Sequence, residues 1–243
     1  MGFVARTNIG KVRSENQDGG CAFVHADYFI GIVADGMGGH RGGATASKLA
    51  IRAVKACLLE KLTKDADEEG CTALLKEAYT LANAEIYARS KEDKELEGMG
   101  TTLTVALLKN GRLLVAHIGD SRAYIADEQK IFQLTVDQTF VQKLIDSGEI
   151  TPEEAKTHPQ RHMIMEAVGT EKTICPVIYS AEVKQQTVML CSDGLYGEVS
   201  DEEIHKTMTA ADDLATAADK LVVHANVNGG MDNITVVLLC ETM

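Results

Sequence analysis

Residues 28–43 read YFIGIVADGMGGHRGG. An apolar run over 28–34 stops at Asp35, and five glycines fall among the next eight residues. Beyond them, alanines with Leu49, Ile51, Val54, Leu58 and Leu62 recur at helical spacing, which predicts a helix over 43–62. A strand built for burial thus delivers a carboxylate into nearly bare backbone and then feeds a helix. Either this is a turn that contains an aspartate, or the chain is bringing a charge and a backbone up to a ligand.

Working outward, strands are predicted at 2–6, 21–25 and 28–33, the last two joined by Ala26-Asp27. A second helix over 71–90 follows from Leu74, Leu75, Ala78, Leu81, Ala82 and Ile86 on one stripe. Strands at 101–108 and 113–118 flank Asn110-Gly111, a strong hairpin signal, and shorter ones are predicted at 121–125 and 131–134. Residues 137–170 hold few large apolar side chains, and Thr151-Pro152-Glu153-Glu154 looks like a helix start, so they read as a surface excursion. A strand at 187–191, a helix over 211–225 and a buried strand at 233–240 complete the chain. Hairpins rather than βαβ crossovers, on both sides of a long helix pair, point to mostly antiparallel sheets with helices outside. With only three prolines and no Ser/Gly-rich tract in 243 residues, one domain is expected.

Composition excludes several classes. Acidic residues outnumber basic ones 36 to 24, for a net charge of −12, which argues against a nucleic-acid backbone as partner. A phosphorylated ligand stays open if a metal supplies positive charge locally. The longest apolar stretches are strand-length, no signal region opens the chain, and Arg6 stands where myristoylation needs Ser or Thr. No membrane association and a cytosolic location are therefore expected. The six cysteines contain no C-x-x-C pair, so a zinc ribbon is unsupported and reduced, mostly buried thiols are expected.

Four aspartates sit where an apolar run meets a turn: Asp35, Asp120, Asp193 and Asp232. Any one is most simply a turn residue. Four gathered at sheet ends would repel one another unless a cation sat among them. Oxygen ligands without His or Cys select a hard ion such as magnesium or manganese, and the backbone carbonyl of Gly36 is free of a side chain to hinder it. Other constellations fail. Gly43-Ala44-Thr45-Ala46-Ser47-Lys48 lacks the Gly and Ser/Thr that flank a nucleotide-loop lysine, so Lys48 belongs to a helix surface. Pro159 breaks any helix that would align His158 with His162, and no G-x-S-x-G elbow occurs. His25, His205 and His224 read as surface or packing residues.

Six ordered motifs resemble the metal-dependent protein serine/threonine phosphatases (PPM, type 2C), bacterial branch. They are residues 13–18 (RSENQD), 35–40 (DGMGGH), 100–102 (GTT), 119–122 (GDSR), 191–194 (CSDG) and 229–233 (GGMDN). The resemblance implies an α+β fold, a four-layer α/β/β/α sandwich over residues 1–243, with 137–170 as a flap beside the metal centre. Asp18, Asp35, the Gly36 carbonyl, Asp193 and Asp232 would hold two manganese or magnesium ions, and Asp120 with Asp193 a weaker third. Arg13 would clamp the substrate phosphate while metal-activated water attacks in line. Asn233 is expected to support Asp232. The acid that protonates the leaving alkoxide stays open between His40 and a metal-bound water. The implied partners are phosphoproteins under a Ser/Thr kinase, acted on by a monomer. A silent phosphoprotein-binding module and a phosphatase of small metabolites are the alternatives. The flap departs from the family pattern R-N-x-x-T-R-A-L-G at His162 and Glu166, which changes its charge and bears on substrate preference.

Overall fold

The computed structural model describes residues 2–241, without the side chains of residues 39–41; His40 as a proton donor therefore lies outside the described residues. In chain order the strands are β1 (Phe3–Asn8), β2 (Asp18–His25), β3 (Tyr28–Met37), β4 (Gly100–Thr101), β5 (Leu103–Lys109) and β6 (Arg112–Ile118). Then come β7 (Arg122–Ala126), β8 (Ile131–Gln133), β9 (Val177–Glu182), β10 (Thr187–Cys191) and β11 (Ile234–Cys240). The helices are α1 (Gly39–Lys61), α2 (Glu68–Glu92), α3 (Phe140–Asp146), α4 (Pro152–Lys156), α5 (Asp193–Tyr196), α6 (Asp201–Thr209) and α7 (Leu214–Asn228).

One sheet runs β1-β11-β10-β7-β8 and the other β2-β3-β5-β6-β9, with β4 paired to the end of β3; every pairing is antiparallel. Strand periodicity sorts the side chains into layers. From β3 and β5, Ile30, Ile32, Ala34, Leu103, Val105 and Leu107 pack under α1 and α2. Their alternates Val33, Ala106 and Leu108 meet Leu190, Val237 and Leu239 of the facing sheet. Beyond that sheet, Ile234, Val236 and Leu238 join Leu195, Ile204 and Leu221 of α5, α6 and α7. The central strands are buried on both faces, and the architecture is the expected α/β/β/α sandwich.

Several boundaries differ from expectation. Strand β3 does not stop at Ala34: Asp35 pairs with Asp18, and Gly36 and Met37 pair with Thr101 and Gly100. Helix α1 begins at Gly39, and within its first turns Gly43 touches Gly36 back to back. A Cβ on Gly43 would stand 2.5 Å from the Gly36 carbonyl oxygen, and one on Gly36 2.0 Å from that of Gly43. Strand β9 was not anticipated; it is an edge strand whose residues are nowhere fully buried. Helix α6 was missed too, since only Ile204 and Thr207 of its nine residues are buried. Its Ser200/Glu203 capping box was the available signal. All six cysteines are free; Cys57, Cys71 and Cys191 are buried, Cys21 and Cys240 half-buried, and Cys175 is exposed.

Within 137–170, α3 and α4 are closed off by a short antiparallel contact. Phe140 N donates to Met163 O at 2.8 Å and Met165 N to Gln138 O at 2.8 Å.

Candidate metal centre

Antiparallel pairing gathers five aspartates at one end of the two sheets. Asp18 opens β2 opposite Asp35 near the end of β3. Asp120 lies between β6 and β7, Asp193 is the first residue of α5 after β10, and Asp232 stands two residues before β11. Because β10 pairs with both β7 and β11, these segments share that end. Asp18 was reached only through family resemblance, since no apolar run precedes it.

Asp18 and Asp232 are held through their carboxylates, Asp35 and Asp120 through their backbones. The Ser192 hydroxyl donates to Asp18 Oδ2 at 2.6 Å and also accepts from Thr235 N at 2.9 Å. Around Asp35, the backbone N–H donates to Thr102 Oγ1 at 2.9 Å, and the carbonyl accepts from Thr102 N at 2.8 Å. Thr102 Oγ1 in turn lies 2.8 Å from Ser121 Oγ, which ties Asp35 to the residue after Asp120. Tyr196 donates its hydroxyl to Asp120 O at 3.0 Å. Its ring carries the Arg122 guanidinium at 3.6 Å, and Arg122 is anchored by Asp137 at 2.7 Å. Asp232 accepts from Asn233 N at 2.8 Å and from Arg13 at 2.7 Å. The Asn233 amide donates to Ile9 O at 2.9 Å and Glu15 O at 3.0 Å, and its Oδ1 accepts from Gln17 N at 2.8 Å. Its side chain is fully committed to the loop that carries Arg13.

The electrostatics are unfavourable for bare carboxylates. Burial, then the charges of Asp193 and Asp232, push Asp18 up to about 7 despite the Ser192 bond. Asp35 is raised well above the ordinary carboxylate range by burial and by Asp18, Asp193, Asp120 and Asp232. Burial and Asp193 raise Asp120. Burial and Asp232 also raise Asp193, while His162, a hydrogen bond with Asp35 and Arg13 draw it down. Oδ1 of Asp120 and Oδ1 of Asp193 are both buried without a hydrogen-bond partner. Orphaned carboxylate oxygens are costly, and a cation removes that cost. Among the described residues no three acidic, His or Cys side chains close on one point as a finished cage. Magnesium-type sites do not require one, because such ions keep several waters and take one or two carboxylates each. The donor set fits hard divalent ions.

Arg13 reaches the centre from the loop after β1 and engages Asp232 through one nitrogen, with its side chain about half exposed. Two of the three histidines expected to be surface or packing residues make such contacts: His205 with Asp127 O at 2.8 Å and His224 with Thr207 at 3.2 Å. Ser192, Thr102, Ser121 and Tyr196 carry supporting roles that the spacing alone did not assign. The first three stand inside the quoted motifs; Tyr196 gave no signal.

Comparison with known proteins agrees with this geometry. The family model described as Protein phosphatase 2C matches residues 11–226. The chain is 41% identical over 237 residues to the serine/threonine protein phosphatase PstP of Mycobacterium tuberculosis, covering 97% of this chain but 44% of that protein. It thus spans less than half the length of that relative. It is 37% identical to the serine/threonine phosphatase stp of Listeria monocytogenes, covering 96% of this chain and 93% of that one. Among solved structures, Stp1 of Staphylococcus aureus superposes with a TM-score of 0.93 at 32% identity, covering 99% and 95% of the two chains. The PstP catalytic domain, solved in complex with two manganese ions, gives 0.84 at 38% identity, covering 98% and 96%.

Proposed function

The chain belongs to the protein phosphatase 2C family, and from that premise we propose that it hydrolyses phosphoserine and phosphothreonine esters in proteins, opposing a Ser/Thr kinase in the cytosol. The observation that carries the reading is the gathering of five aspartates and Arg13 at one end of the sandwich, with two orphaned carboxylate oxygens among them. The chain acts as one catalytic domain with residues 137–170 as its flap, and as a monomer. Among the described residues no helix is long and apolar enough to cross a membrane.

Asp18, Asp35, Asp193, Asp232 and the Gly36 carbonyl would hold a pair of manganese or magnesium ions, and Asp120 with Asp193 would hold a weaker third. Bound divalent ions supply Lewis acidity and lower the pKa of water toward neutrality. The remaining work belongs to the protein. Arg13 leaves Asp232 to grip two phosphate oxygens with its planar fork; a half-exposed ion pair is worth little, so the exchange costs little. Ser192 fixes the Asp18 carboxylate and Thr102 fixes the backbone that carries Asp35, which limits reorganisation as charge shifts. Asn233 keeps the Arg13 loop and Asp232 in register.

The test is turnover of a phosphothreonine peptide and of p-nitrophenyl phosphate in manganese, magnesium and EDTA. Activity with either ion and none in EDTA is expected; metal-independent turnover, or none at all, would refute the reading. Asp120→Ala should lose turnover while calorimetry still counts two bound manganese ions.

A further inference from the structure

The outer flank of α7 breaks the rule that puts polar residues on a helix's solvent face. Val223 and Val227, one turn apart, point to solvent, and Val227 is 69% exposed. Exposed apolar residues scattered singly mean nothing. These are not scattered. Met231 stands just past the end of α7, and Ile9 and Val12 belong to the facing segment; all three are exposed. The two segments are stapled together along this flank. Arg6 pairs with Asp219 at 2.5 Å, Asn226 Nδ2 donates to Asn8 Oδ1 at 3.3 Å, and Lys11 N donates to Gly230 O at 2.7 Å. Val223 lies between the first two staples, and Val12 and Met231 sit at the last. Met231 adjoins Asp232 and Val12 adjoins Arg13, so the apolar strip runs into the catalytic mouth.

We propose that this strip binds apolar side chains of the substrate on one side of its phosphorylated residue; the proposal rests on the phosphatase reading. Two arguments select that occupant. The strip is continuous with the phosphate clamp, so a chain anchored at Arg13 passes over it. Its spacing also suits an extended segment: four helical residues rise about 6 Å, and alternate side chains of a strand recur about every 6.6 Å. Alternate apolar residues of the substrate therefore meet Val227 and Val223 in turn, with Met231 beyond the end of the helix. With a net charge of −12 the protein offers an acidic phosphopeptide little attraction away from Arg13. Apolar contact supplies affinity that charge does not.

The experiment compares two phosphothreonine peptides, identical except that alternate positions on one side carry leucine or serine, each made in both orientations. The wild type should favour the leucine peptide in one orientation by about tenfold in kcat/KM, expressed in KM. The double variant Val223→Asp, Val227→Asp should bring that ratio to about one, and its melting temperature shows whether it folds. Val227→Asp alone should halve the preference or more. If the wild type hydrolyses p-nitrophenyl phosphate but treats both peptides alike, the strip is overturned and the phosphatase reading stands. If it hydrolyses none of the three, both fail together. Equal treatment combined with a dimer that Val227→Asp dissociates would assign the strip to a second copy and overturn the proposal.

Discussion

At Asp35 a single side chain sets function against stability. Its charge is opposed by burial and by four neighbouring aspartates, so without a cation the folded state is better served by a neutral group. Asp35→Asn should therefore reduce phosphopeptide turnover by at least about 100-fold, as loss of a metal ligand does, and yet melt higher than the wild type in EDTA. Turnover and calorimetric melting of the same preparation check both halves. Ser192 works one step back. Removing its 2.6 Å bond to Asp18 takes away an interaction that favours the ionised carboxylate, so Ser192→Ala should weaken manganese binding about 10- to 100-fold by titration calorimetry.

Among the elements, the junction of β3 with α1 is the tightest. Neither Gly36 nor Gly43 tolerates a Cβ, because each glycine lies against the other's backbone. Gly43→Ala should cost about 1–3 kcal/mol in a denaturant melt, the range for overpacking without room to relax. Much of this was legible in the sequence: the glycine run announced the close approach, and apolar runs announced the doubly buried strands. What the sequence hid was the length of β3. Pairing of Asp35 with Asp18 is a long-range fact, and no local propensity extends a strand through Asp-Gly. The same holds for Tyr196, which supports Asp120 from across the fold, and for β9, whose half-exposed residues give no clean alternation. The carboxylates were readable because chemistry marks them; their supports were not, because any hydroxyl at the right place will serve.

For the whole molecule, pH acts through His117, buried on β6 with Nδ1 2.9 Å from Thr104 Oγ1 and Nε2 unpartnered. Burial pushes it down to about 4, against the pull of Asp137. The unfolded chain then binds a proton below its ordinary value near 6.5 that the folded chain refuses until about pH 4. This contribution to stability is whole above 6.5 and is lost as pH falls toward 4, by up to about 3 kcal/mol. His117→Gln should flatten the melting temperature against pH over that window. The pairing of β1 with β11 has a last consequence. Arg13 lies between β1 and β2, Asp18 opens β2 and Asp232 precedes β11, so the centre stays unfinished until these distant strands pair. Under the phosphatase reading the centre is inert until β11 docks, and two halves severed in the exposed segment at residues 212–213 should regain turnover only on reassociation, so that turnover reports the docking of a single strand.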